Sequence, residues 1–181
     1  MRTFPLLLVL LLSLPLFAQS VPNNEIAIGF GWANYTENVG EAGRDTAATL
    51  SYNRFWTPTI STRLGLTEFG IGLTIGGDTG SDISAKTLLV EYHPRRGQRI
   101  SPYGGAGVGY VEAKAELGRH ITEEADGEVA PMLKLGADLN LTRWLAVGLD
   151  GTYMRYTPEF SGGRTIDVSP LMATASLKLR F

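Results

Sequence analysis

Apolar side chains alternate with mostly polar ones along the last eleven residues of the chain. Every second residue from Leu171 to Phe181 is apolar, and most of the residues between them are polar. Because successive side chains of a β-strand point to opposite faces, this segment predicts a strand with one apolar face. A soluble β-sandwich could use the same pattern, so the class of protein depends on the rest of the chain.

Seven earlier segments show a similar two-residue period. One face of each segment carries mainly aliphatic or aromatic residues, as Ile26, Ile28 and Phe30 do in the first segment. The other face carries glycine, alanine, hydroxyl-bearing or charged residues. The predicted strands are residues 25–34, 46–56, 59–70, 84–93, 100–115, 128–140, 143–156 and 171–181.

The links between these strands alternate in length. Short links are expected at residues 56–59, 94–99 and 140–143, and longer polar or glycine-rich links at residues 35–45, 71–82, 116–127 and 157–167. Bacterial outer-membrane barrels have short periplasmic turns and longer extracellular loops. The sequence therefore predicts an all-β fold, an eight-stranded antiparallel transmembrane β-barrel with short periplasmic turns and longer extracellular loops. The aromatic residues near the predicted strand ends, Phe55 and Trp56 among them, predict girdles at the two membrane boundaries.

The N-terminus predicts export. A short basic start precedes the apolar run from Phe4 to Phe17, and Ala18 offers a small residue at a cleavage site. A helical membrane anchor is the alternative, but two prolines interrupt the run, and it is shorter than the roughly 20 residues that a spanning helix needs. We expect a cleaved signal peptide at residues 1–18, a barrel domain at residues 19–181 and residence in the outer membrane.

Composition narrows the possible functions. The formal net charge of −2, or −3 once Arg2 is removed with the signal, gives no electrostatic reason to expect nucleic-acid binding. The chain has no cysteine, which excludes a lipoprotein anchor on cysteine, a zinc–thiolate site and a disulfide framework. Stability must come from backbone hydrogen bonding and packing.

Charged residues occur on the faces opposite the apolar ones, and they predict a polar network in the lumen. An eight-stranded barrel is barely wide enough for its own side chains, so buried charges there have to pair. We expect both lysines of the set to lie within ion-pair distance of one of its acidic residues. The network is either a polar path or gate, or a plug that fills the interior; it comprises Arg63, Glu91, Lys134, Asp138, Asp150, Lys178 and Arg180.

Neither an enzyme nor a cofactor is expected. His93 precedes a predicted turn, where a solvated histidine is the default, and His120 lies in a predicted extracellular link without a serine partner. The glycine-rich run Tyr103–Tyr110 continues into a strand, whereas a phosphate-binding loop would precede a helix. A cluster of acidic residues in the third long link lacks calcium-loop spacing and predicts a solvated loop: Glu123, Glu124, Asp126 and Glu128.

Several motifs resemble one family of bacterial proteins. The run Leu88–Pro94, followed by Ser101–Tyr110, is similar to the fourth and fifth strands of the OmpW family of outer-membrane proteins. Asn140–Trp144 with Tyr153–Tyr156, and Lys178–Phe181 after Asp167–Pro170, are similar to later segments of that family. The resemblance implies an eight-stranded barrel associated with the binding or passage of small, often hydrophobic, molecules, with no cofactor and no catalytic motif.

Two functions remain open at this point. The first is binding or passage of small molecules, as the resemblance implies. The second is a non-conducting structural or adhesive barrel that stabilises the membrane or presents surface loops. The expected partners are outer-membrane lipid and lipopolysaccharide, together with a barrel-assembly machinery that would recognise the C-terminal strand ending in Phe181.

Overall fold

The structure is a computed structural model that describes residues 22–35, 45–71, 81–117, 121–157, 159–160, 164–165 and 169–181. Within these residues, no helix is long and apolar enough to cross a membrane. The elements are β1 (Asn24–Tyr35), β2 (Asp45–Phe55), β3 (Ile60–Ile71), β4 (Ser81–Tyr92), β5 (Ile100–Leu117), β6 (Ile121–Asn140), β7 (Leu145–Met154), β8 (Glu159–Phe160), β9 (Arg164–Thr165) and β10 (Pro170–Arg180).

Eight of the strands form a closed antiparallel barrel. Each strand pairs with its sequence neighbour from β1 to β7, and β10 lies between β7 and β1 to close the cylinder. The short β8 and β9 pair only with each other, within the last long link. Closure leaves no barrel strand with an unpaired edge, which is what a lipid environment requires of strands. The predicted fold class is confirmed.

The strand register fixes the tilt of the barrel. A path that follows paired residues from Asn24 through β2 to β7 and then β10 returns to β1 at Asn34, ten residues further along. A shear of this size for eight strands corresponds to strands inclined at roughly 35–45° to the axis, with an interior that side chains can just fill. Because the strands are tilted, side chains that meet at one level of the interior lie at different positions along their own strands.

Strand bounds follow the sequence pattern within three residues at every end except the start of β6. This strand begins at Ile121, seven residues before the predicted start, and β5 runs to Leu117. The prediction of a loop at residues 116–127 is therefore wrong for most of that segment. The error has a physical reason: the two strands continue to pair beyond the apolar zone through backbone hydrogen bonds, after a register shift between Val111 and Ala113. Apolar periodicity does not report that pairing.

The outward face of the barrel is an apolar belt. Phe30, Leu135 and Leu149 each expose about two thirds of their surface, at 67%, 72% and 67%. Trp56 and Trp144 are also exposed, in the short turns at one end. Phe55, which was predicted to join an aromatic girdle, instead points inward and is buried. Exposed apolar side chains around a closed barrel are suited to contact with acyl chains.

The interior divides into two layers along the barrel axis. Near the short turns lies the ion-paired layer, formed by Glu25, Arg63, Glu91, Lys134, Asp138, Asp150, Lys178 and Arg180. Near the long links lies the apolar layer, formed by Ala33, Ala47, Phe69, Ile83, Ala85, Leu89, Val111, Ala130, Met132, Met154, Tyr156 and Met172. The two layers determine what the interior can hold.

Candidate functional site

All seven residues of the predicted lumen network point into the barrel. None of their side chains exposes more than 11% of its surface. They come from β3, β4, β6, β7 and β10, whose alternation places every second residue inside. The structure adds Glu25 of β1 as an eighth charged member, which the sequence reading left at the edge of a strand.

The part of the network nearest the short turns joins β1, β6 and β10. Arg180 donates from Nε to Glu25 Oε2 at 2.7 Å and from Nη2 to Asp138 Oδ2 at 2.9 Å. Lys178 Nζ lies 2.7 Å from Asp138 Oδ1 and 3.9 Å from Glu25 Oε1. Two cations thus share two carboxylates in a place that water does not reach.

A second pair connects β3 and β4. Arg63 donates from Nε to Glu91 Oε1 at 2.7 Å and from Nη2 to Glu91 Oε2 at 3.1 Å. This two-point geometry matches the planar guanidinium to the planar carboxylate and is the strongest form of such a pair. Asn53 donates to the same carboxylate at 3.1 Å, and Arg63 Nη2 also lies 3.6 Å from Glu25 Oε1. Glu25 therefore links the two groups of charges.

The third pair lies further along the axis, between β6 and β7. Lys134 Nζ lies 2.5 Å from Asp150 Oδ1, and the Thr174 hydroxyl donates to the same oxygen at 2.7 Å. The buried Tyr103 hydroxyl donates to Asp150 Oδ2 at 3.2 Å and accepts from Lys178 Nζ at 3.3 Å. Tyr103, which the sequence reading did not select, connects this pair to the charges near the short turns.

The ion-paired layer is balanced in charge. It contains four carboxylates and four cations, and every member has an oppositely charged partner within 4.0 Å. Burying an unpaired charge costs several kcal/mol, so this balance is a condition for the interior to exclude water. Together with Asn53 of β2 and Tyr103 of β5, these charges connect all eight barrel strands, so the arrangement can hold them in one register and fill part of the lumen.

His93 is not the solvated histidine that the sequence predicted. The residue is 1% exposed, and its ring packs between Phe55 and Tyr103, with centroid distances of 4.9 and 5.1 Å. The inward alternation of β4, which places Glu91 inside, extends one step past the strand before the turn begins at Pro94. The alternation along β4 could have predicted that His93 points inward, but the proline that follows it favoured the prediction of a solvated turn.

The surroundings of His93 resemble a hydrolase triad only in composition. Ser61 Oγ lies 3.1 Å from Nε2, and Glu91 Oε2 lies 3.3 Å from the same nitrogen. Nucleophilic catalysis of this kind needs the hydroxyl on one ring nitrogen and the carboxylate on the other. The three side chains are also buried. The geometry is that of a structural hydrogen-bond cluster.

Two other predicted features fall largely outside the described residues. His120 lies in the undescribed segment 118–120. Of the acidic cluster, only the Glu128 side chain is described, and it is exposed. Nothing about a metal site follows for this part of the chain.

A small cavity lies where the two layers meet. Its volume is about 30 Å³, and it is lined by groups of both layers together with hydroxyl-bearing residues such as Thr49, Thr87 and Thr152. Lys134 and Asp150 border it. A space of this size holds one or two water molecules. The hydroxyl-rich lining would hydrogen-bond such water, but the space is far smaller than a typical ligand pocket.

Comparisons with known proteins support the architecture. The sequence profile of a family described as "Outer membrane protein beta-barrel domain" matches residues 4–181. No curated protein matches the sequence.

Three solved structures are similar to the barrel. Neisserial surface protein A is 12% identical, with a TM-score of 0.73 over 87% of this chain and 97% of its own. OprG of Pseudomonas aeruginosa is 17% identical, with a TM-score of 0.65 over 89% and 97%. Ail, the attachment invasion locus protein of Yersinia pestis, is 15% identical, with a TM-score of 0.61 over 89% and 99%. Identities this low show a shared fold.

Proposed function

Because this chain belongs to the outer membrane protein β-barrel domain family, we propose that it is a non-conducting barrel of the outer membrane. Its role is to stabilise the membrane or to present its extracellular segments. The observation that carries this proposal is the closed interior, in which the ion-paired layer and the apolar layer lie one behind the other along the axis.

Passage of an ion or polar solute would have to disrupt both layers. Parting a buried pair such as Arg63 and Glu91 leaves uncompensated charge in a dry interior, at a cost of about 3–5 kcal/mol. Beyond it, the side chains around Met132 and Met154 offer few hydrogen-bond partners to a polar solute. Two consecutive barriers of different chemistry favour a plug over a gate.

The extracellular end supports a role in presenting surface. Toward the extracellular end, the pairing of β6 with β7 stops at Met132. The strand β6 itself extends on to Ile121, and β5 remains paired with β6 as far as Leu117. The β5–β6 hairpin therefore extends beyond the point where β7 ends. Such an extension offers a folded surface outside the apolar belt, and a partner that binds it would not need the lumen.

Planar-bilayer recording tests the proposal. We expect silent bilayers for the wild type and for Lys134→Ala, because removing one side chain at a cavity of about 30 Å³ does not open the layers on either side of it. Lys86→Ala, which removes an exposed lysine from the outer surface, is the matched control. Steady single-channel steps whose size changes in Lys134→Ala, but not in Lys86→Ala, would overturn the proposal and show passage.

A second function is supported by the composition of the apolar layer. Met132, Met154 and Met172 contribute flexible thioether side chains that can rearrange around an apolar guest. We therefore propose, as a second function, the binding or passage of small, often hydrophobic, molecules. Membership of the OmpW family is part of this second proposal. Enhanced fluorescence of an apolar dye on barrel-containing vesicles, reduced in Met154→Phe, would favour this second function.

The assembly route is proposed on the sequence alone. Residues 1–18 would direct export and then be cleaved, and a barrel-assembly machinery would recognise the strand ending in Phe181. Lipopolysaccharide would contact the outer half of the apolar belt.

A further inference from the structure

Arginines gather at one end of the barrel. The short turns and the paired ends of β1 and β10 mark this end as periplasmic. Within the described residues, the side chains of Arg95, Arg99 and Arg143 are exposed there, and those of Arg54 and Arg96 are partly exposed. Two of the three short turns supply four of these residues and the end of β2 supplies Arg54; we call the five the arginine rim.

No Asp or Glu side chain at this end balances the rim in the described part of the chain. Residues 22–24, 54–60, 92–100 and 140–145, which form this end, contain no Asp or Glu. The nearest carboxylates, Glu25 and Asp138, are 1% exposed and are paired with interior cations. Among the described residues, no rim arginine forms an ion pair within 4.0 Å, although the whole chain has a formal net charge of −2. The positive charge at this end is therefore open to an external anion.

Three rim arginines lie against aromatic rings. The guanidinium carbon of Arg143 is 4.6 Å from the ring centroid of Trp144, that of Arg54 is 5.8 Å from Trp56, and that of Arg96 is 3.4 Å from Phe55. Both tryptophans are about half exposed, at 48% and 56%, and they border the apolar belt. Exposed tryptophans of a membrane protein favour the level of the lipid headgroups. Arg54 and Arg143, which lie beside the tryptophans, are thus held at the depth of the phosphates, whereas Phe55 is buried inside the barrel.

Part of the rim's hydrogen-bonding capacity is unused. Arg54 donates from Nη1 to Asn24 Oδ1 at 2.7 Å, and Arg96 donates from Nη2 to the Pro22 carbonyl. The Nε atoms of both residues are buried and have no hydrogen-bond partner among the described residues. A lipid phosphate cannot reach these buried atoms, so the donors open to it are the exposed guanidinium groups of Arg95, Arg99 and Arg143.

We propose that the arginine rim binds the phosphates of anionic phospholipids in the inner leaflet of the outer membrane. Guanidinium groups bind phosphate through paired N–H donors, which gives geometric preference as well as charge attraction. Lipid is favoured over carboxylates of the cell wall because the tryptophans hold Arg54 and Arg143 beside the apolar belt. The arginine rim thereby fixes the depth and orientation of the barrel in the membrane.

The test compares lipid retention by variants of the whole barrel. The triple variant Arg95→Gln, Arg99→Gln and Arg143→Gln removes three exposed rim charges, whereas Lys86→Gln with Arg155→Gln removes two exposed charges near the opposite end. Each protein is inserted into vesicles of phosphatidylethanolamine and phosphatidylglycerol at three to one, and the lipids that remain bound after mild extraction are counted by native mass spectrometry.

We expect the wild type and the control to retain phosphatidylglycerol in preference to phosphatidylethanolamine, and the triple variant to lose that preference by roughly tenfold. The preference should also decrease in high salt, because exposed charge attraction is screened. Three outcomes would overturn the proposal: equal retention of both lipids by the wild type, equal loss in the control, or an undiminished lipid preference in the triple variant.

Discussion

Lys178 shows how strongly one interior side chain depends on its partners. Its ammonium group is fully buried, lies 2.7 Å from Asp138 and is 4.4 Å from the ring centroid of Tyr103. Lys86, on the outer surface of β4, also pairs with a carboxylate, Glu112, at 3.1 Å, but both side chains are more than 40% exposed. Both lysines form an ion pair with a carboxylate, but only the Lys86 pair is in contact with the surroundings of the barrel.

Replacing each lysine by methionine separates these environments. Lys178→Met leaves Asp138 and Glu25 with one cation fewer in the interior, and we expect a loss of about 3–5 kcal/mol in the free energy of unfolding. Lys86→Met, as the matched control, should cost less than about 1 kcal/mol. Denaturant unfolding of both variants in vesicles measures the difference. Equal losses would mean that the ion-paired layer is hydrated.

His93 gives a second prediction at this scale. His93→Ala removes a ring that fills the space between Phe55 and Tyr103 and breaks contacts with Ser61 and Glu91. We expect a loss of about 2 kcal/mol or more in the free energy of unfolding, from the cavity and the lost hydrogen bonds. A solvated surface histidine would change the same quantity by less than about 0.5 kcal/mol. A loss in that lower range would contradict the buried position.

At the scale of the element, β5 is the strand that most depends on glycine. A Cβ atom at Gly107 would lie 2.0 Å from the Leu88 carbonyl oxygen and 2.7 Å from the Leu89 Cα atom of β4. On the concave side, the β4 backbone therefore lies too close to Gly107 to leave room for the Cβ atom of any other residue. Gly151 of β7 points outward, and a Cβ atom there would meet nothing nearer than 3.9 Å. Curvature of the narrow cylinder explains the contrast between the two faces.

Alanine substitution at the two glycines measures this curvature. Gly107→Ala should lower the free energy of unfolding by about 1–3 kcal/mol, because the β4 backbone has to move. Gly151→Ala should be neutral or stabilising by up to about 1 kcal/mol, since alanine restricts the unfolded chain. Denaturant titrations in detergent would compare them. Tolerance of alanine at both positions would indicate a wider barrel than the one described.

At the scale of the whole molecule, apolar and charged side chains are distributed in the opposite way to those of a soluble protein. The apolar belt faces outward, while eight paired charges occupy one layer of the interior. The other layer of the interior is apolar, so both kinds of packing occur along one axis. An apolar outer surface around a closed cylinder suits contact with lipid.

Resistance to detergent tests the closed cylinder as a unit. Because the barrel has no unpaired strand edge, we expect it to remain folded in sodium dodecyl sulfate at room temperature and to migrate faster on a gel than after boiling. Gly107→Ala should shift this change in mobility to a lower temperature, while Gly151→Ala should not. Identical migration of the wild type before and after boiling would be incompatible with the barrel.

The candidate site could be predicted only in part from the sequence. Alternation within a single strand is a local property, so it assigned Arg63, Lys134 and Asp150 to the inward face. It missed Tyr103, which lies in a glycine-rich strand, and it placed His93 in solvent because a proline follows. Both residues take their roles from partners on other strands, such as Asp150 and Ser61.

The sequence by itself determined the eight strands, their apolar faces and the alternation of short and long links, because each of these follows from side-chain period and local turn chemistry. Only the tertiary structure decided which charges meet, since Glu25 and Arg180 are 155 residues apart and pair through the closure of β1 on β10. It also decided the separation into two layers and the length of the β5–β6 hairpin. Those features depend on the register and tilt of the closed barrel, which no single segment encodes.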